Sequence, residues 1–253
     1  MSASQDFWLA GVDGCKDGWL VVLIQPEGQE FRICEAPIKK FADVITMASV
    51  IAVDMPIGLP ELGGRDAEKL VRPLLGPLSR SVFPVPSREA VFSERGSFAN
   101  QAERYAAHQR ACSVAEATSK PPRRVTMQTF GLFPKIQDVD ESLRSIPGSV
   151  ERVFEVHPEV AFRQLKGEPL TEPKKRNGRP NPPGIAHRCE LLRNAHLPEN
   201  CWNANLPKGA GIDDLLDALA CAAVARRIFN RCAISFPDPP IRDGYGIPMA
   251  IWA

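Results

Sequence analysis

The chain has 253 residues, of which 44% are hydrophobic and 24% charged, with a formal net charge of +1. That composition is ordinary for a globular chain of one large domain or two small ones, and it excludes a disordered, collagen-like or coiled-coil protein. The near-neutral charge argues against a wholesale electrostatic grip on nucleic acid, while a local basic patch stays open.

In chain order, Phe7–Val12 is a short apolar run with strand character, and Gly18–Ile24 is a second. Trp19 to Ile24 falls far short of the ~20 residues a membrane helix needs, so no membrane is expected. No basic-then-apolar leader precedes it. After the turn signal Pro26-Glu27-Gly28, Gln29–Glu35 alternates as a strand does. These three predicted strands make an antiparallel meander. Ile38–Ala48 carries a helical period, and Val50–Asp54 is a buried strand ended by Met55-Pro56-Ile57-Gly58. Helices are predicted near Arg65–Leu75, Asn100–Thr118 and Met127–Ser145, with a loop over Gly76–Arg95. Arg152–His157 returns as a strand, and Pro158 suits a first helical turn, where its missing N–H does no harm. Glu172–Pro183 is basic and Pro-rich, the pattern of a mobile surface loop. Helices follow near Ile185–Ala195 and Asp213–Arg231, and Ile247–Trp252 is a candidate last strand. The whole order predicts an α/β fold of RNase H-like type. Its mixed sheet combines an antiparallel meander with parallel strands, and helices cover both faces. Residues 1–253 then form one domain with a mostly helical insertion at about 60–149.

Seven cysteines occur with no Cys-x-x-Cys, and four histidines with no zinc-type pair. Reduced thiols in a cytoplasmic protein are expected. Any metal must be held by carboxylates, which favours Mg²⁺ or Mn²⁺ over Zn²⁺.

Asp13 ends the first predicted strand and Asp54 the fourth. Ligands collect at the carboxyl ends of parallel strands in an open sheet. Each acid also has a plain reading as a turn residue. In Gly211-Ile212-Asp213-Asp214-Leu215-Leu216-Asp217, Asp214 and Asp217 share one helix face with Cys221, Val224 and Ile228. Capping explains Asp213 well and Asp214 in part, but not Asp217, a turn further in. Glu155 sits among Val153, Phe154 and Val156, so it needs a metal or an arginine partner. Glu159 and His157 read as helix-start residues. Arg65, Arg72, Arg80 and Arg88 punctuate the predicted insertion and suit phosphate, although spaced arginines are more often only solvated.

The stretches GVDGCKDGWLVVLI, IAVDMPIGLPE, GGRDAEKLVRPLLG, SVFPVPSREAVF, FEVHPEVAF and DDLLDALACA resemble, in order, domain-of-unknown-function family 429. That family is described as predicted RNase H-like nucleases, within a wider RuvC-type group. The resemblance implies a nuclease that hydrolyses phosphodiester bonds with two Mg²⁺ or Mn²⁺ ions. Asp13, Asp54, Asp214 and Asp217 would be catalytic metal ligands, and Glu155 would join the catalytic acids. The partner would be DNA or RNA, met by Arg65, Arg72, Arg80 and Arg88. Two other readings stand beside it: a nucleotide-binding phosphotransferase of the actin or sugar-kinase type, and a non-enzymatic binding protein that kept the fold. A second Gly-rich phosphate turn, which the kinase class needs, is missing from the sequence.

Overall fold

The computed structural model describes residues 7–27, 30–198 and 200–253. Gly28 and Gln29, part of the predicted turn and third strand, lie outside them. The meander is β1 (Leu9–Cys15), β2 (Gly18–Ile24) and β3 (Phe31–Ile33), followed by α1 (Phe41–Ile45) and β4 (Val50–Val53). Next come α2 (Asp66–Val71), a 3₁₀ run (Arg72–Ser81), α3 (Arg88–Phe92), α4 (Gln101–Ala117) and α5 (Met127–Ser145). After these, β5 (Val153–Val156) and α6 (Pro158–Lys166) return the chain to the sheet. A small hairpin of β6 (Lys175–Arg176) and β7 (Arg179–Pro180) leads to α7 (Pro182–Asn194) and the long α8 (Ile212–Phe229). The chain ends in β8 (Ser235–Arg242) and β9 (Pro248–Trp252).

Seven strands form one mixed sheet in the order β3-β2-β1-β4-β5-β9-β8. β1 pairs antiparallel with β2 and parallel with β4, and β5 and β9 continue the parallel set. The elements from α2 to α5 are threaded between strands β4 and β5, which are neighbours. The pleat sends alternate residues to opposite faces. Ala10, Val12, Ile51 and Val53 pack under α1, α3, α4 and α5. Leu9, Leu20, Val22 and Ala52 pack under α6, α7 and α8.

Three expectations are corrected. The α-helix predicted over Arg65–Leu75 stops at Val71, because Pro73 and Pro77 force the tighter 3₁₀ run and Gly76 turns at φ +50°. The predicted loop Gly76–Arg95 contains the end of that run and α3, whose cap is Ser87 accepting from the Ala90 N–H. The supposedly mobile segment Glu172–Pro183 is tied down. Arg188, fully buried on α7, donates to the Glu172 carbonyl at 2.9 Å, and the Lys174 carbonyl accepts from the Asn181 N–H at 2.9 Å. β8 carries Pro237, Pro239 and Pro240, residues that read as a loop. They are tolerated because β8 is an edge strand with a free side.

Candidate active site

The site is built where β1, β4 and α8 meet. β1 and β4 run in register with Gly11 beside Ala52, so the next residues on that face are Asp13 and Asp54. The Asp54 N–H donates to the Val12 carbonyl at 2.9 Å, which carries the ladder to the end of β4. α8 crosses this face at very short range. A Cβ on Gly11 would stand 2.0 Å from the Ala218 carbonyl oxygen and 2.3 Å from the Ala222 nitrogen. Glycine in the strand and alanines in the helix therefore set the depth at which α8 lies, and with it the position of Asp217. Asp13, Asp54 and Asp217 line one cavity of about 310 Å³, together with His157, Glu159 and Lys174.

Asp13 is 7% exposed and Asp217 6%. Burial, and then the Asp54 charge, hold the Asp13 carboxyl well above the usual carboxylate range. Burial also raises Asp54, against the opposing pull of His157 and Lys174. The Lys174 ammonium contacts Asp217 Oδ2, while the buried Oδ1 of Asp217 has no hydrogen-bond partner among the described residues. Beside it, Lys175 pairs with Asp213 at 2.5 Å. The β6–β7 hairpin thus lays two lysines across the start of α8.

Asp214 is used differently. It accepts from the Gly211 N–H at 2.8 Å, half of a capping box, and it does not line the cavity. Gly211, not Asp213, is the N-cap. The Asp214 charge still reaches Asp13 and helps to raise it.

Glu155 and Arg65 do not line this cavity, although they share a small space of about 30 Å³ with Asp54 and His157. In β5, Glu155 is in register with Val53 and therefore points to the face opposite Asp54. There Arg65, 3% exposed, grips it through two nitrogens at 2.6 and 2.7 Å and also contacts Glu68. The same guanidinium donates to the Ile57 carbonyl at 2.6 Å, and the Ile57 N–H donates to Glu155 at 2.7 Å. The cluster fixes the Met55–Gly58 turn that follows Asp54. Of the two readings of Glu155, the ion pair is the one seen, and Arg65 has no donor left for a phosphate. Arg88 is likewise committed, to Asp140 and Asp243 at 2.7 Å each. Arg72 and Arg80 are exposed on the 3₁₀ run, whose last residue, Ser81, lines the cavity.

The family model for a protein of unknown function, DUF429, matches residues 11–242. The chain belongs to the DUF429 family. No curated protein and no solved structure matches it. The family match spans every acid of the cavity.

The donor set suits a hard divalent cation: it is carboxylate oxygen throughout, and the buried Asp217 Oδ1 is without a partner among the described residues. Among the described residues, no three His, Cys, Asp or Glu side chains stand arranged as ready ligands. The cation present is the Lys174 ammonium. Asp13, Asp54 and Asp217 are the residues that would hold a metal, with Lys174 moved aside. Sequence reasoning missed Lys174, whose run Lys174-Lys175-Arg176 looks like any solvated basic loop. Glu159 and His157 do start α6, His157 at its N-cap position and Glu159 in its first turn, and both also line the cavity. Glu159 is buried against Arg188, which donates to both its oxygens at 2.6 and 2.7 Å. The signal available for it was a charge next to an apolar strand.

Proposed function

We propose that this DUF429 chain is a metal-dependent nuclease built on an RNase H-like core, hydrolysing phosphodiester bonds with Mg²⁺ or Mn²⁺. The observation that carries the reading is the convergence of Asp13, Asp54 and Asp217, over two hundred residues apart at the extremes, in one cavity at the carboxyl ends of β1 and β4. The antiparallel meander joined to a parallel core supports the fold assignment. A bound divalent ion would lower the pKa of a water and stabilise charge on the leaving oxygen. The chain's own part is to gather the three carboxylates at fixed depth and to keep Asp217 paired with Lys174 until the ion arrives. Lys174 then becomes a cation available to a phosphate at the same mouth. Exposed Arg80 precedes Ser81 of the cavity wall, Arg72 lines a separate cavity with Lys69 and Arg123, and Arg65 and Arg88 brace neighbouring elements.

The test is a cleavage assay on single-stranded, duplex, hybrid and branched substrates with Mg²⁺, Mn²⁺ or EDTA, paired with calorimetric metal titration. Metal-dependent cleavage lost in Asp54→Asn supports the reading. Absence of both cleavage and metal binding in the intact chain overturns it.

A further inference from the structure

A second cavity lies away from the acids. It measures about 580 Å³ and is bounded by the Ser93–Gln101 connection, the start of α4 and the first turns of α5. α5 separates it from the acid cavity: Gln128 and Leu132 face the acids, whereas Phe130 and Pro134 face this second space. Those pairs are each four apart and lie on opposite sides of the helix.

Its chemistry is specific. Phe98 and Phe130 stack with ring centroids 5.7 Å apart and planes 29° from parallel, and Phe98 is half-buried. Such a stack accepts one more flat ring. Arg104 lines the same space, exposed and, among the described residues, in no ion pair. Asn100 and Gln101 add carboxamides, groups that read the donor and acceptor edge of a heteroaromatic ring. The volume is that of a small-molecule site. α5 also carries two helix-weakening residues here, Gly131 and Pro134, and both are wall residues. A Cβ on Gly131 would reach the Arg104 guanidinium at 3.4 Å. Any larger side chain there would enter the space.

We propose that this cavity binds a planar heteroaromatic ring bearing an anionic phosphate, the chemistry of a nucleotide, with the ring on Phe98 and the phosphate on Arg104. The ligand is either a free mononucleotide or an unstacked base of a strand. The site goes beyond the hydrolytic reading and does not depend on it.

The test uses isothermal titration in EDTA with the nucleoside 5′-monophosphates, inorganic phosphate and a short single-stranded oligonucleotide. The proteins are the intact chain, Gly131→Phe, Arg104→Gln and Asp54→Asn. A nucleotide or the oligonucleotide should bind, about tenfold more weakly in Arg104→Gln and not at all in Gly131→Phe. Asp54→Asn should bind as the intact chain does, so failure of the acid site leaves this result standing. Binding of monophosphates identifies the free ligand, and binding of the oligonucleotide alone identifies the strand. Gly131→Ala, which favours the helix and barely enters the space, should melt at or above the intact chain and still bind. No binding of either ligand overturns the proposal. So does binding that survives in Gly131→Phe, or inorganic phosphate binding as tightly as a nucleotide.

Discussion

Two buried carboxylates share one guanidinium at the base of the threaded helices, and this makes an unequal prediction for the partners. Arg65 contacts Glu155 and Glu68 and also donates to the carbonyls of Ile57 and Gly58. Arg65→Met removes the cation and strands both acids, which should cost about 3–5 kcal/mol near pH 8. Glu155→Gln leaves Arg65 paired with Glu68 and keeps one acceptor oxygen, losing the bonds that the other oxygen accepts, so it should cost under about 2 kcal/mol there. The pH dependence separates them further. Burial, which outweighs the attraction of Arg65, pushes the Glu155 carboxyl from its ordinary 4.5 up to about 7. Between those values the folded chain keeps a proton that the unfolded chain has released. Stability from this group is therefore fully present below 4.5 and lost as pH rises through about 7, by at most roughly 3 kcal/mol. Glu155→Gln abolishes that slope, so its cost should be largest near pH 5 and shrink toward pH 8. Urea denaturation of both variants at several pH values reads all three quantities. A Glu155→Gln cost at pH 8 equal to that of Arg65→Met would refute the shared-cation reasoning, as would a cost that grows with pH.

Asp54→Asn keeps the shape of the cavity and removes one of its clustered charges. Metal-dependent cleavage should vanish while the melting temperature in EDTA stays level or rises; a lower melting temperature would show that Asp54 is structural. Lys174→Met should lower stability by about 2 kcal/mol in EDTA, because it leaves the buried Asp217 unpaired, and by less with Mn²⁺ present. Calorimetry should show tighter Mn²⁺ binding by that variant, and unchanged affinity would mean that Lys174 does not stand in the metal's place. Gly11→Ala should cost about 1–3 kcal/mol or more and abolish activity by lifting α8 from β1; a stable and active variant would disprove the depth-setting role of this contact.

What was legible in the sequence follows from which signals are local. The meander, β4, α5 and α8 announce themselves through apolar periodicity, and Met127–Ser145 is found at the bounds predicted for it. β8 was illegible because three prolines deny it a strand's pattern, and only its edge position makes it possible. At the site, Asp13 and Asp54 were visible as acids ending buried runs, and Asp217 as an acid too far into α8 to be a cap. Glu155 stayed open between a site acid and an arginine's partner because a strand's own sequence does not reveal its register with a neighbour. The pairing of Glu155 with Val53 sends it to the other face. Lys174 could not be read at all. Its place depends on Arg188, Asn181 and the Glu172 carbonyl, contacts made across a turn whose residues look merely polar.

The same facts explain how such a costly cluster persists in the folded chain. Three carboxylates at one mouth repel each other, and burial worsens the effect for Asp13 above all. Against this stand contacts that are expensive to break. α8 is seated on β1 with no room for a single methyl at Gly11, so Asp217 cannot retreat by sliding the helix. Asp54 cannot swing away freely, because Arg65 clamps the turn that follows it to β5 and α2. The backbone at Lys174 is held by Arg188 and Asn181, so only its side chain has to turn away when another cation takes its place. Charge repulsion is thus opposed by packing on one side and by ion pairs on the other, and neither support belongs to the acids themselves. An acid cluster held by its surroundings keeps its geometry whether a lysine or a divalent ion neutralises it. That is the condition a site needs if the exchange of one cation for another is to leave the fold unchanged.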